Sequence, residues 1–343
     1  MGNHDGIEIH RQRPVRKTLK VVGWIFLFLI ILLMMGWASL AIYYSNLPES
    51  YRLIGAIGYG LVSLLVLLGI RPPLRAVMSF LGIFVIVVIG WLAITPSNDR
   101  NWQPDVAVLP YATFNGNMVT LHNIRNCDYR TETDYTVHHY DKTFDLTKLK
   151  SADLFLVYWG SPYIAHTMMS FGFGDGNFLC FSIETRKEKG EEYSAIKGFF
   201  RQYEITYVVA DERDLVRLRT NYRHEDVYLY RLQVSRDMMK KVLLDYLQRV
   251  NRLKEQPEWY NALVDNCSTA ARSHMAPYNP EAKLDWRIIA NGFVDQFIYE
   301  QKILDQNLPF AQLKARSYIN ARGQAADRDP HFSRRIREGL PGM

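Results

Sequence analysis

Apolar positions are distributed unevenly along the chain. Residues 21–44 (VVGWIFLFLIILLMMGWASLAIYY) contain no charge, and residues 53–70 and 76–94 are shorter, richer in glycine and equally uncharged. At 1.5 Å rise per residue such stretches, as helices, reach across a hydrocarbon layer of about 30 Å, so the pattern predicts three transmembrane helices between residues 20 and 95. The first is longer than the apolar core of a signal peptide and no small-residue cleavage site follows it, so it is expected to be retained.

Beyond residue 96 the pattern is that of one water-exposed domain, entered through a polar linker (96–110). Asp153 to Trp159, Ile164 to Phe173 and Asn177 to Thr185 are rich in Val, Ile, Phe and Tyr and read as strands, the last two joined by a Gly174-Asp175-Gly176 hairpin turn. No Lys-Ser/Thr follows those glycines, so a phosphate cradle is not expected. Ile205 to Val209 and Val227 to Leu232 read as further strands, with a short helix over 211–219 between them. From Ser235 the period changes: Met238, Met239, Val242, Leu243, Tyr246, Leu247, Val250 and Leu253 recur at three- and four-residue spacing, an amphipathic helix that Pro257 ends. Asp265 and Asn266 are helix N-cap residue types, opening a helix from Ser268 to Met275.

Charge sets the orientation. Arg11, Arg13, Arg16, Lys17 and Lys20 precede the first apolar segment, and Arg71 and Arg75 flank the connection between the second and third, whereas the first connection holds only Glu49 and Arg52. Short basic loops stay in the cytoplasm, so residues 1–19 are expected inside and residues 96–343 outside, on the periplasmic side of a bacterial inner membrane. The net charge of +6 is modest and dispersed over mixed-sign surface, which argues against nucleic-acid binding. Only the C-terminal stretch from Lys314 to Arg337 is clearly basic, and it is expected to be a solvated tail. Three cysteines (Cys127, Cys180, Cys267) do not make a disulfide framework. No cofactor signal is present, and oligomeric state is not set by the sequence.

Cys267 follows the N-cap residues, where helix N–H groups and the helix dipole favour a thiolate and can hold an oxyanion. His166 sits in an otherwise apolar strand and needs a polar partner. If that strand runs beside the Cys267 helix, the imidazole can take the thiol proton and return it to a leaving group. Ser182 and Glu184 share one face of the next strand; Glu184 is placed to orient the second ring nitrogen, or alternatively to pair with Arg186 or Lys187. Asn266 and Ser182 are candidates for substrate or oxyanion contacts. Asp128 and Arg130 are candidates for lining a polar pocket, or for pairing with each other. His122, His138 and His139 fit no standard zinc spacing, so no metal is expected. Ser161 and Ser268 lack a nucleophile-elbow context.

The runs Ile164 to Phe173, Ser182-Ile183-Glu184-Thr185-Arg186 and Asp265-Asn266-Cys267-Ser268-Thr269 resemble the Lnb N-terminal periplasmic domain family, as do His122-Asn123-Ile124-Arg125-Asn126 and Asp128-Tyr129-Arg130-Thr131 upstream. The resemblance spans most of residues 121–275. It implies an α+β, circularly permuted papain-like (NlpC-type) domain of antiparallel sheet plus helices. It further implies a thiol enzyme with Cys267 as nucleophile and His166 as base, and membrane lipid or lipoprotein as substrate, by association with lipoprotein N-acylation. Hydrolysis of envelope peptides or lipids, and a non-catalytic envelope assembly or sensing role, are the alternatives. The family's named member carries further segments around its thiol domain, whereas a three-helix anchor precedes it here, so the acceptor is less directly implied than the catalytic pair.

Overall fold

The computed structural model describes residues 9–262, 264, 266–278 and 285–343, with side chains from Thr18 onward. The chain divides into two compact units, residues 1–95 with 200–202, and residues 96–199 with 203–343.

The first unit holds α1 (Ile9–Tyr43), α2 (Glu49–Gly69) and α3 (Pro73–Leu92). Their membrane-length portions run Thr18–Tyr43, Glu49–Gly69 and Pro73–Leu92, 26, 21 and 20 residues. Small residues face the helix contacts: Ala38, Ala41, Ala56 and Ala76 are buried. A Cβ on Gly55 would meet Ile42 Cγ2 at 3.1 Å, so glycine is what permits that approach. Large aliphatics such as Leu33, Ile54, Leu65 and Ile86 point outward, as a lipid-facing surface requires.

The second unit is a mixed α+β fold. Its strands are β1 (Tyr111–Asn115), β2 (Met118–Arg125), β3 (Asp128–Tyr129), β4 (Tyr135–Thr136), β5 (His139–Asp145), β6 (Leu149–Tyr158), β7 (Ala165–Phe173), β8 (Phe178–Arg186), β9 (Glu204–Ala210) and β10 (Asp226–Arg231). Helices α4 (Ala195–Phe199) and α5 (Glu212–Arg217) flank β9, and α6 (Arg236–Glu255) and α7 (Cys267–Met275) follow β10. Then come α8 (Trp286–Ile289), α9 (Val294–Glu300), α10 (Phe310–Arg316), α11 (Asn320–Ala325) and α12 (Phe332–Arg335). The main sheet runs β1-β2-β9-β8-β7-β6-β10, with β5 also on β2. Every pairing is antiparallel except β2 with β9, a single parallel contact at Arg125↔Ala210, so the sheet is mixed and not purely antiparallel.

Strands β6 to β8 are buried on both faces, which explains their near-continuous apolar run. On one face lies α6, whose stripe of Met239, Val242, Leu243, Tyr246, Leu247, Val250 and Leu253 enters the main core, together with Cys267 and Ala270 of α7. The other face is covered by Leu215 and Val216 of α5 and by Ile319, Ala326, Phe332, Ile336 and Leu340 from the C-terminal end.

Two expectations change here. The basic C-terminal stretch is folded, not a solvated tail: Arg337 is buried and its guanidinium donates to Asp153 Oδ2 (2.7 Å) and to Glu212 Oε1 (2.6 Å) and Oε2 (2.7 Å). Two buried carboxylates demand such a counter-charge, and this arginine supplies it. The 96–110 linker also belongs to the folded domain. Trp102 and Val106 are buried, and Arg186 lies 4.2 Å above the Trp102 ring while donating to the Val106 carbonyl at 2.9 Å.

Candidate active site

Helix α7 begins at Cys267 because Asn266 caps it. The Asn266 side-chain oxygen accepts from the N–H groups of Ser268 and Thr269, both at 3.0 Å, and the Thr269 hydroxyl accepts from the Asn266 N–H, a complete capping box. Asp265, the other N-cap candidate, lies outside the described residues. The cap fixes Cys267 at the first helical position, where the dipole favours negative charge. Among the described residues the Cys267 N–H has no acceptor, and it stands beside the sulfur.

Strand β7 meets this helix end where its own pairing changes. The β7–β8 ladder stops at Met168↔Ser182, while β7 continues along β6 to Ala165↔Tyr158. The first residues of β7 therefore expose an unpaired edge toward the departing β8. The sulfur of Cys267 lies on that edge, 3.9 Å from the Ala165 carbonyl, and takes the Thr167 N–H as a donor.

His166 is buried on the same stretch. Its Nε2 is 2.6 Å from Ser182 Oγ and 3.1 Å from Glu184 Oε1, and Ser182 Oγ donates to Glu184 Oε1 at 2.6 Å. With Nε2 engaged there, Nδ1 is the nitrogen left for the thiol, with which His166 shares a hydrogen bond. Glu184 does not turn to Arg186 or Lys187; its Oε1 accepts from Arg219 Nη2 at 2.9 Å, and Arg219 is in turn held by Glu225 at 3.1 Å. Arg219 comes from the irregular helical turn after α5, 35 residues downstream of Glu184, and nothing local in the sequence announced it.

These contacts polarise the pair. Burial is the largest single influence on His166 and would neutralise it; the Glu184 carboxylate and the charge and hydrogen bond of Cys267 together overcome it and lift the imidazole to about 9. Burial likewise opposes a Cys267 thiolate; the His166 imidazolium, its hydrogen bond and the Thr167 N–H overcome it and hold the thiol below its ordinary value. Glu184 is held well below the carboxylate range, against burial, by His166, Arg219 and Ser182. The other thiols go the opposite way. Burial and Asp214 push Cys127 up to about 12, and burial with Glu212 pushes Cys180 well up. Of three free, buried cysteines only Cys267 is biased toward the thiolate.

A residue missed in the sequence completes the arrangement. Asn291, buried and just after α8, accepts from the Ala165 N–H through Oδ1 (2.8 Å) and through Nδ2 donates to Ser268 Oγ (2.9 Å) and toward Cys267 Sγ (3.7 Å). It is seated by Gly292, whose N–H donates to the Tyr163 carbonyl at 3.0 Å and where a Cβ would lie 2.2 Å from the Pro162 carbonyl oxygen. The Asn291-Gly292 pair is the only local sign of this turn, and an Asn-Gly pair marks a turn without saying what it reaches.

Other candidates are used differently. Asn266 serves as the cap, its Oδ1 accepting from the first turn of α7 and its Nδ2 donating to the Ala262 carbonyl (3.0 Å). Ser182 is consumed between His166 and Glu184. Arg130 is exposed on β3–β4 and forks onto Asp134 (2.9 and 2.5 Å), neither lining the thiol site nor pairing primarily with Asp128. Asp128 is also exposed, 3.6 Å from Arg217. His122 pairs with Asp141 at 2.6 Å on the neighbouring strand.

The chain is thus a membrane-associated protein of the α+β class, three apolar helices of membrane-spanning length followed by a domain with a polarised cysteine–histidine pair. Residues 135–292 match the family model of the Lnb N-terminal periplasmic domain. The match takes in His166, Ser182, Glu184, Cys267 and Asn291 and leaves out residues 121–134, where the upstream resemblance lies. A periplasmic domain family behind three apolar helices makes a membrane protein with a periplasmic C-terminal domain the coherent reading. No curated protein and no solved structure gives a significant match.

Proposed function

We propose that this protein is a membrane-anchored thiol acyltransferase of the bacterial inner membrane, its N-terminus cytoplasmic, working on lipid-linked substrates with lipoprotein N-termini as the acceptor class. The observation that carries the reading is the buried Cys267–His166 pair at a capped helix N-terminus, backed by Ser182, Glu184 and Arg219. The Cys267 thiolate attacks the ester carbonyl carbon of a lipid. A C–S bond forms, and the electron pair moves to the carbonyl oxygen, which the Cys267 N–H and Asn291 Nδ2 are placed to receive. On collapse the ester C–O bond breaks and the leaving alkoxide takes the proton from imidazolium His166. An amine then attacks the thioester, His166 takes its proton, and the thiolate is released as an amide forms. Glu184 keeps the ring oriented and charged through Nε2, directly and by way of Ser182. Asn266 serves the nucleophile through the helix cap.

The test is trapping. Purified full-length protein is incubated in bilayers of mixed bacterial lipid, and the Cys267 peptide is read by mass spectrometry. A hydroxylamine-sensitive acyl adduct in the wild type, absent in Cys267→Ser and strongly reduced in His166→Ala, is expected. Adduct absent from the wild type, or equal in both variants, refutes the acyl-enzyme; an adduct released only to water in the presence of amine acceptors replaces transfer by hydrolysis.

A further inference from the structure

Beside the thiol lies a cavity that the pair itself does not use. Its volume is about 80 Å³, and it is lined by Leu154 and Met169 from the sheet, Ala271 and Met275 from α7, and Phe297 and Ile298 from α9, with almost no polar surface. A lining of this kind takes small apolar groups. Its polar edge is at the reacting end: Thr167 and Ser268 belong to the lining, their hydroxyls sharing a hydrogen bond at 2.7 Å, and Ser268 Oγ is 3.9 Å from Cys267 Sγ. Ala271, one turn beyond Cys267, is small, so the helix leaves room where a larger residue would close the way.

We propose that this cavity seats the alkyl chain of the group bound at Cys267, and that Phe297 and Ile298 of α9 set how long a chain it accepts. The proposal rests on the acyl-enzyme reading for its biological meaning. An apolar chamber with two hydroxyl side chains at the end nearest a nucleophile fits an unbranched hydrocarbon tail with a polar carbonyl head. It does not fit a peptide, whose backbone N–H and C=O groups would go unpaired there. Phe297 and Ile298 lie beyond residue 292, outside the stretch matching the periplasmic domain family, so the length limit is a property of this chain's own C-terminal segment.

The experiment uses alkyl methanethiosulfonates from methyl to dodecyl on the full-length protein in lipid nanodiscs. The thiolate displaces methanesulfinate and leaves an alkyl disulfide on Cys267, a reaction that needs no acyl transfer. Rates at Cys267, located by peptide mass and divided by the methyl rate, are expected to rise up to about fourfold per methylene while the chain is being buried, then level off. Ile298→Trp should level off several carbons earlier with the methyl rate unchanged, and Phe297→Ala several carbons later. The two variants act in opposite directions, so either one suffices if the other fails to fold. The same chain-length profile in wild type and both variants overturns the proposal, since it would reflect partition into the bilayer alone. A variant-sensitive profile in a protein that forms no acyl adduct upholds the cavity and overturns only the acyl-enzyme.

Discussion

Glu184→Gln isolates what the buried carboxylate does for the thiol. The gap between about 9 for His166 and the ordinary 6.5 corresponds to about 3 kcal/mol of preference for imidazolium. Burial, the largest influence, and Arg219 both act against that preference; Glu184, at 3.1 Å, is the largest influence in its favour, and the charge and hydrogen bond of Cys267 add to it. Coulomb attraction at this separation is large enough even in a partly wetted site. The substituted amide keeps the shape and can still accept from Ser182 and Arg219, but carries no charge. His166 should then fall below 6.5, and without an imidazolium Cys267 loses the main influence that offsets its burial. The sign is fixed: a raised imidazole is charged below its folded value, so the wild-type thiolate–imidazolium pair persists through neutrality and ends as pH rises through about 9. Iodoacetamide alkylation of Cys267, followed by peptide mass from pH 5 to 10, should show an acid limb below that of a free thiol in the wild type. In Glu184→Gln the limb should move to higher pH, with a rate loss of about tenfold or more at pH 7. Turnover should fall in the wild type above about pH 9, where His166 can no longer protonate the leaving group. Superimposable alkylation profiles for the two proteins, both folded by thermal melt, would refute the reasoning.

Asn291→Leu should lower turnover by about a hundredfold with little change in KM if Nδ2 receives the oxyanion, while the alkylation rate of Cys267, which builds no oxyanion, stays within about twofold. Equal losses in both measurements would make Asn291 a positioning residue only. Arg337→Met should destabilise the domain by about 3–5 kcal/mol in denaturant titration, because Glu212 stays buried without its counter-charge while Asp153 keeps only Arg231, and Arg337→Lys should recover part of the loss. An unchanged midpoint in Arg337→Met would place the C-terminal segment outside the cooperative unit.

Strands β6 to β8 and helix α6 are legible in the sequence because each carries its period over nine or more residues of core-facing side chains. Strands β1, β2 and β5 are not. His139, Asp141, Lys142 and Thr143 give β5 polar residues on both faces, so alternation is lost and only backbone pairing with β2 defines it. Helices α8 to α12 span four to seven residues each, too short to show a period. They are held by isolated anchors such as Ile319, Phe332 and Arg337, which read on their own as a basic tail. The same contrast runs through the site. Cys267, His166 and Glu184 were legible from a cap, an out-of-place imidazole and a shared strand face. Arg219 and Asn291 reach the site from distant turns, and single-residue contacts across 35 and 126 positions leave no local pattern.

Cys267 owes its place to a defect in the sheet. Strand β8 leaves β7 after Ser182 to follow β9 as far as Arg186↔Glu204, while β7 stays with β6, so an edge opens inside an otherwise closed ladder. Buried edge groups must find partners. The Ala165 N–H goes to Asn291 and the Thr167 N–H to the Cys267 sulfur. The divergence also leaves space for Glu184 to approach His166 across the gap at 3.1 Å. The atoms that satisfy the edge are thus those that would carry the chemistry. Replacing Cys267 by alanine would strand a backbone donor and confuse a structural cost of about 1–3 kcal/mol with a chemical one. Serine keeps an acceptor on the edge and removes only the thiolate, so activity lost in Cys267→Ser at unchanged stability reports on the chemistry alone.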